Sequence, residues 1–260
     1  MAPPRRHRRH TAPLLAAAAL TALAAVIVLA RGGDADADGG AAVSKTTGSV
    51  RGVVTFKGTP PERTPIDRSS DPHCAGNTAP SEDVVVTDGK LRDVLVRVAN
   101  GSAGEHAAPT EPVVIHQHDC AYTPRVVGIV AGQKLQIVNG DPTFHNVRGN
   151  LGKRILFNLP QAAEAAPIER DVSGKAGDVV SLACDVHPWM HAWVAIQDHP
   201  FFTVTGADGA FELTGLAPGT YTIEAWHPTL GLQTTKVKVK KGGNGKKAAK
   251  ATLTFSAPAE

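Results

Sequence analysis

The stretch "FFTVTGADGAFELTGLAPGTYTIEAWHPTLG", residues 201–231, decides how this chain is read. Its short runs alternate apolar and polar residues, as strands with one buried face do, and each run stops at glycine, proline or aspartate. Gly206-Ala207-Asp208-Gly209 has the composition of a hairpin turn and Pro218-Gly219 that of a second turn. Glycine accepts positive φ at such places and proline presets the bend.

The same punctuation extends outward in both directions. "SVRGVVTF", "DVLVRVAN", "PVVIHQ", "RVVGIVAG", "KLQIVNG", "DVVSLACDV", "AWVAIQD", "QTTKVKVKK" and "ATLTFS" are rich in Val, Ile and Thr, and nearly all are bounded by Gly, Pro, Asn or Asp. The fold class expected is therefore all-β. Only "LPQAAEAAPIERD" has helical flavour, and its prolines reduce it to a loop with at most one helical turn. The alternating "KVKVKKGGNGKK" reads as an edge strand that uses charge against edge-to-edge pairing, closed by a Gly-Asn-Gly turn.

Residues 201–231 resemble the carboxypeptidase regulatory-like domain, a small transthyretin-like β-sandwich whose pattern is Thr, Asp-Gly, Phe and then Pro-Gly-Thr-Tyr. That family opens with two strands that are missing just upstream. "GSVRGVVTFKG", ending at Gly58, and "LRDVLVRV", residues 91–98, have their form about a hundred residues earlier. The expected organisation is one sandwich built from residues 49–104 and 199–260, with a second domain, residues 105–198, inserted between its parts. Such insertion is cheap when the guest's termini lie close together. Three consecutive β-units are the rival arrangement.

The chain begins differently. Arg5, Arg6, Arg8 and Arg9 precede an apolar block from Ala12 to Ala30, followed by a small, polar, aromatic-free stretch. Residues 1–30 read as an apolar helix serving as a signal peptide or an uncleaved membrane anchor, with residues 12–30 as the possible tether and 31–48 as a flexible linker. An exported, periplasmic or otherwise extracytoplasmic protein is the expectation. Residues 1–30 hold four arginines and no acid, so the formal charge of +3 becomes −1 without them. No basic footprint then remains to support nucleic-acid binding.

The inserted segment carries the chemistry. "KLQIVNGDPTFHNV" ends near His145, and "LACDVHPWMHAW", residues 182–193, places Cys184, His187, Met190 and His191 together. These two pieces resemble the cupredoxins, the plastocyanin and azurin family, in the strand, turn and first ligand and in the Cys-x-x-His spacing. The resemblance implies a Greek-key sandwich that binds copper through His145, Cys184 and His187, with Met190 as the axial ligand and Asn146 bracing the cysteine loop. Two imidazoles and a thiolate suit copper in both oxidation states, and a weak thioether tunes the potential. The chain departs from the family in having only Pro188 and Trp189 between His187 and Met190. His191 is the alternative axial or peripheral ligand. Phe144, Trp189 and Trp193 are candidates for an apolar shell.

Other readings are weaker. "HPWMH" has zinc-peptidase spacing, but Pro188 interrupts any helix and the glutamate base is missing. Three cysteines in an exported chain leave one thiol if two pair; Cys74 with Cys120 would leave Cys184 for metal, although spacing alone does not fix the connectivity. His116, His118 and Cys120 alternate and would share one strand face, either as another metal site or as a solvated surface. His227 beside Trp226 reads as structural.

No Ser/His/Asp arrangement, phosphate-binding loop or paired catalytic carboxylate stands out, so the chain reads as no enzyme. The expected function is one-electron transfer through copper with a redox partner protein. The alternative is a β-sandwich adhesion, carbohydrate-binding or copper-storage protein without redox turnover.

Overall fold

The computed structural model describes residues 46–76, 79–104, 106–243 and 245–257. The segments expected to be a signal or anchor helix and nearly all of the expected linker lie outside them. Among the described residues no helix is long and apolar enough to cross a membrane.

Among the described residues eighteen strands follow one another with only two short 3-10 turns: β1 (Gly48–Lys57), β2 (Val86–Thr87), β3 (Lys90–Leu91), β4 (Leu95–Val98), β5 (Val113–His118), β6 (Ala121–Thr123), β7 (Val126–Val130), β8 (Lys134–Asn139) and β9 (His145–Leu151) in the first half. The second half holds β10 (Arg154–Gln161), β11 (Ile168–Asp171), β12 (Val179–Ala183), β13 (His191–Gln197), β14 (Phe202–Val204), β15 (Ala210–Leu216), β16 (Gly219–His227), β17 (Gly231–Val239) and β18 (Ala249–Ser256). The protein is all-β.

Four sheets make two sandwiches. In the first, β1 lies antiparallel to β15 and β3 and parallel to β18, while β4 pairs with β14 and β16, and β16 with β17. One core fills the space between these sheets, with Val50, Val54, Val96, Leu213, Ile223 and Phe255 almost fully buried. Strands from both ends of the described chain thus share one interior, and we call this the split sandwich. In the second, the sheet β10-β9-β12-β13-β7 faces the sheet β11-β8-β5-β6 across Ile115, Leu135, Ile137, Leu182 and Val194. Every strand of this inserted sandwich lies between residues 113 and 197. The seam between the two holds Leu95, Val126 and Ala195, with Trp193, Phe202 and Trp226 against them.

Several expectations change here. The turns at Gly206–Gly209 and Pro218-Gly219 exist, but β14 and β16 belong to one sheet and β15 to the other, so these turns carry the chain between sheets and close no hairpin. Gly209 has φ +63°, and a Cβ there would lie 2.5 Å from the Val54 carbonyl oxygen. The hairpin β9–β10 and the strand β11 were not anticipated. Polar residues dominate β9, and Gly149 is needed because the Phe157 ring lies where its Cβ would stand, which hides the alternation. "PIERD" forms β11 against β8 instead of a helical turn. The Lys-rich β17 is an edge strand.

Candidate metal centre

His145 opens β9, at the end of a turn pinned by Asn139. The Asn139 side chain donates to the carbonyls of Thr143 (3.0 Å) and Ala162 (2.9 Å), and its oxygen accepts from the Asp141 amide (3.0 Å). Cys184 follows the last residue of β12. Its amide donates to the Met190 carbonyl (3.3 Å) and the Met190 amide to the His187 carbonyl (2.9 Å), which folds residues 184–190 into a tight loop before β13. Because β12 lies between β9 and β13, the loop and the start of β9 meet at one end of the sandwich.

There the ligand atoms of His145, Cys184 and His187 lie within 4.8 Å of one another, and all three side chains are buried. The Nδ1 atoms of His145 and His187 face each other at 2.8 Å, and the Cys184 sulfur is 3.7 Å from His187 Nδ1. Asn146 holds the loop as the cupredoxin resemblance implies: its Oδ1 accepts from the Asp185 amide (2.7 Å) and from the Cys184 sulfur (3.4 Å). Its Nδ2 donates to Asp185 (2.9 Å), and its carbonyl accepts from the buried Tyr122 hydroxyl (2.7 Å). Burial, with the nearby Cys184 and Asp185, pushes the Tyr122 hydroxyl up, so it stays protonated as a donor.

Both imidazoles are held from behind. His145 Nε2 meets Asp141 Oδ2 at 2.8 Å, and His187 Nε2 meets Asp71 Oδ2 at 3.0 Å. Burial works against the Asp71 charge, but His187, Thr143 and the amides of His73 and Cys74 outweigh it and hold the carboxyl at about 2. Asp141 is likewise held below the ordinary carboxylate value: burial opposes its charge, while His145 and the amides of Cys120 and Asp119 favour it. Burial is also the largest influence on His145 and lowers it, with the facing His187 acting the same way and Asp141 opposing.

These partners test whether a metal fits. A carboxylate accepts only, so each Nε2 donates to its carboxylate, and a ring that carries no second proton presents a bare Nδ1. Two ring nitrogens converging beside a sulfur can hold a cation between them, a shared proton or a metal ion. Imidazoles held by outer carboxylates, with a soft sulfur, form a donor set for copper or zinc.

The remaining expected residues are placed as follows. Met190 is 1% exposed and packs in the core beneath the loop. His191 begins β13 on the outside, its ring near Trp193, and is no part of the converging group. Trp189 lies beside the His187 ring, with centroids 5.2 Å apart, and its Nε1 donates to the Cys120 carbonyl (3.0 Å). Phe144 is 44% exposed at the rim. Trp193 packs at the seam under the Arg125 guanidinium instead of lining the centre.

Cys74 and Cys120 form a disulfide, and Cys184 is free and buried. The shared face expected for His116, His118 and Cys120 does not form. β5 ends at His118, Asp119 and Cys120 turn the chain with positive φ, and Cys120 is buried while both histidines are exposed. A second group, Asp71, Cys74 and His187, also lies within 4.8 Å, but the Cys74 sulfur is bonded to Cys120.

Two residues that hold the imidazoles escaped the sequence reading. Asp141 stands in the "NGDP" turn four residues before His145, a local signal. Asp71 is separated from His187 by 116 residues, and its only signal is "DPHC", which ties it to the Cys74–Cys120 pair.

Comparison with known proteins adds the following. Residues 197–255 match the family model of the BOS complex subunit NOMO1-like second β-sandwich domain, a different β-sandwich family from the one the 201–231 pattern resembles. No curated protein matches. Among solved structures, the chain is similar to a Cu-containing nitrite reductase from Thermus scotoductus SA-01, with 20% identity over 40% of this chain and 25% of that one and a TM-score of 0.31. It is also similar to amicyanin from Paracoccus versutus (22% identity, 39% and 98% covered, TM-score 0.29) and to a purple cupredoxin from Nitrosopumilus maritimus (21%, 39% and 97%, TM-score 0.26). The chain spans about a quarter of the nitrite reductase.

Proposed function

We propose that this chain is an exported copper protein of cupredoxin type that passes single electrons between partner proteins and is not itself an enzyme. The observation that carries the reading is the convergence of two buried imidazole Nδ1 atoms and one buried sulfur, with both outer Nε2 atoms committed to carboxylates. His145, Cys184 and His187 would hold the copper, with Met190 as the fourth residue beside it. When bound, copper supplies a reversible one-electron couple.

The chain's own residues supply everything else. Asp141 and Asp71 orient the rings and put negative charge behind them, which favours a cation. Asn146 fixes the cysteine loop from the neighbouring strand, and the core below, including Met190 and Leu182, keeps water out. A centre held this firmly rearranges little when its charge changes. The split sandwich serves as a carrier and docking module, and the apolar N-terminal block as the export signal or tether.

Purified protein given Cu(II) is expected to bind one equivalent and show intense visible sulfur-to-copper absorption, which Cys184→Ser abolishes. A colourless protein without stoichiometric copper overturns the reading. A second reading, copper holding without electron exchange, is favoured by one observation: the outer edge of His187 is covered by Asp71 and the ring is fully buried. Reversible voltammetry at an electrode separates the carrier from the store.

A further inference from the structure

The connection between β1 and β2 spans about 28 residues, and its described part contains only an isolated bridge between Pro65 and Pro80 and the short turn Cys74–Gly76. Connections this long without regular structure are uncommon in a packed domain and usually functional. This one is rooted at both ends in the split sandwich, yet it lies on the inserted one. Arg68 Nη1 donates to the Asp119 carbonyl (2.9 Å), Arg125 pairs with Asp83 (2.6 Å), and Cys74 is bonded to Cys120 and fully buried in the inserted sandwich's core.

At the tip stands Asp71. One carboxylate oxygen accepts from the amides of His73 (2.7 Å) and Cys74 (3.3 Å), which fixes the side chain to its own turn. The other accepts from His187 Nε2 (3.0 Å) and the Thr143 hydroxyl (3.0 Å). A single oxygen therefore touches both ligand-bearing segments, two residues from His145 and on His187 itself. Trp189 Nε1 ties the same loop to the Cys120 carbonyl, so the disulfide and the His187 loop hold one another.

We propose that residues 59–76 and 79–83 are a disulfide-held clasp on the metal centre, in which Asp71 is the positioning residue for His187 and sets how slowly copper leaves. The proposal rests on the copper reading for its metal and on geometry for the clasp. His187 sits in a short loop followed by proline, and among the described residues no other group accepts a hydrogen bond from its Nε2. Asp71 commits that nitrogen to a proton, aims Nδ1 inward and covers the route by which solvent or a competing ligand would reach the ring. The disulfide keeps the tip from wandering, so the carboxylate is always at hand.

The test compares the full chain with Asp71→Asn, Asp71→Ala, Asp71→Glu and the double variant Cys74→Ala/Cys120→Ala, each checked for folding by its melt. Transfer of Cu(I) to a strong chromophoric chelator is expected to quicken roughly 10- to 100-fold in Asp71→Asn and Asp71→Ala, the loss typical when an outer partner of a ligand histidine is removed. The visible band persists, because Cys184 still binds. Asp71→Glu recovers part of the delay, and the double cysteine variant shifts in the same direction with Asp71 present. Folded Asp71 variants that release copper at the parent rate overturn the clasp.

A metal-free readout separates the two readings. Modification of Cys184 by an aromatic disulfide reagent is expected to be at least about tenfold faster in Asp71→Ala and in the double cysteine variant than in the parent. Equal rates overturn the clasp. If the parent takes up no copper, the copper reading falls while the thiol rates still decide the clasp.

Discussion

The two sandwiches of this chain fill their interiors differently. The split sandwich is lined by Val, Leu, Ile and Phe from both its sheets, and the few polar side chains buried there, such as Ser49, Thr205 and His227, are spread through it. The inserted sandwich has an apolar middle but gathers Gln117, Asn139, Asp141, His145, Asn146, Gln161 and His187 among its buried groups. A buried polar group costs free energy unless it is satisfied, so this end is stable only because its members bond one another. Gln117 donates to Gln161 at 2.6 Å, Asn139 pins the turn, and two carboxylates hold two imidazoles. One interior serves the fold, and the other accepts a cost to fix three donor atoms in place.

The largest effect that breaks this comparison lies in the split sandwich. A Cβ on Gly52 would stand 1.8 Å from the Ala251 carbonyl oxygen and 2.6 Å from the Phe211 ring, so β1 and β18 cannot keep their pairing around it. Gly52→Ala is expected to cost at least about 4 kcal/mol, read by urea or thermal unfolding.

Next is a pH effect in the same sandwich. His227 Nδ1 accepts from the amides of Thr229 (3.2 Å) and Leu230 (3.3 Å), which requires the neutral ring. Burial, with Arg125 acting the same way and Asp83 opposing, lowers it from 6.5 to about 4. The unfolded chain takes up this proton first, so stability is full above about pH 6.5 and falls by about 3 kcal/mol as the pH drops to about 4. Unfolding curves of the metal-free protein are expected to show that slope, and His227→Gln to flatten it.

The smallest effect belongs to the clasp. Asp71, lowered from 3.8 to about 2, stabilises the fold above about pH 3.8. This contribution, about 1 kcal/mol once solvent screening is allowed for, is lost as the pH falls to about 2. Asp71→Asn is expected to reduce the slope below about pH 4, to which Asp141 also contributes, and to leave the His227 share above pH 4 in place.

How far the sequence carried depends on the range of the contact. Punctuated runs such as "AFELTG" and "TYTIEAWH" were legible as strands, because alternation and turn residues are local. That His145, Cys184 and His187 converge was legible because each stands in a short stretch of telling spacing. The hairpin β9–β10 was not, since Gly149 and its polar neighbours blur the period of two. Nor was the change of sheet at Gly206–Gly209, because a turn motif does not say which sheet receives the next strand. Cys120 left the expected strand face through two residues of positive φ, a backbone choice its neighbours do not announce. Asp71 was invisible as a partner of His187 because nothing near it in sequence refers to residue 187.

The parallel pairing of β1 with β18 has a consequence for how the chain comes off the ribosome. Residues 50–57 are made first, and their partners, 249–256, about 200 residues later. Every strand of the inserted sandwich has emerged before then, so the guest can assemble while its host still waits with an open edge. Synthesis order and chain order run opposite to what "host" and "insert" imply: the centre is finished first, and the frame around it closes afterwards.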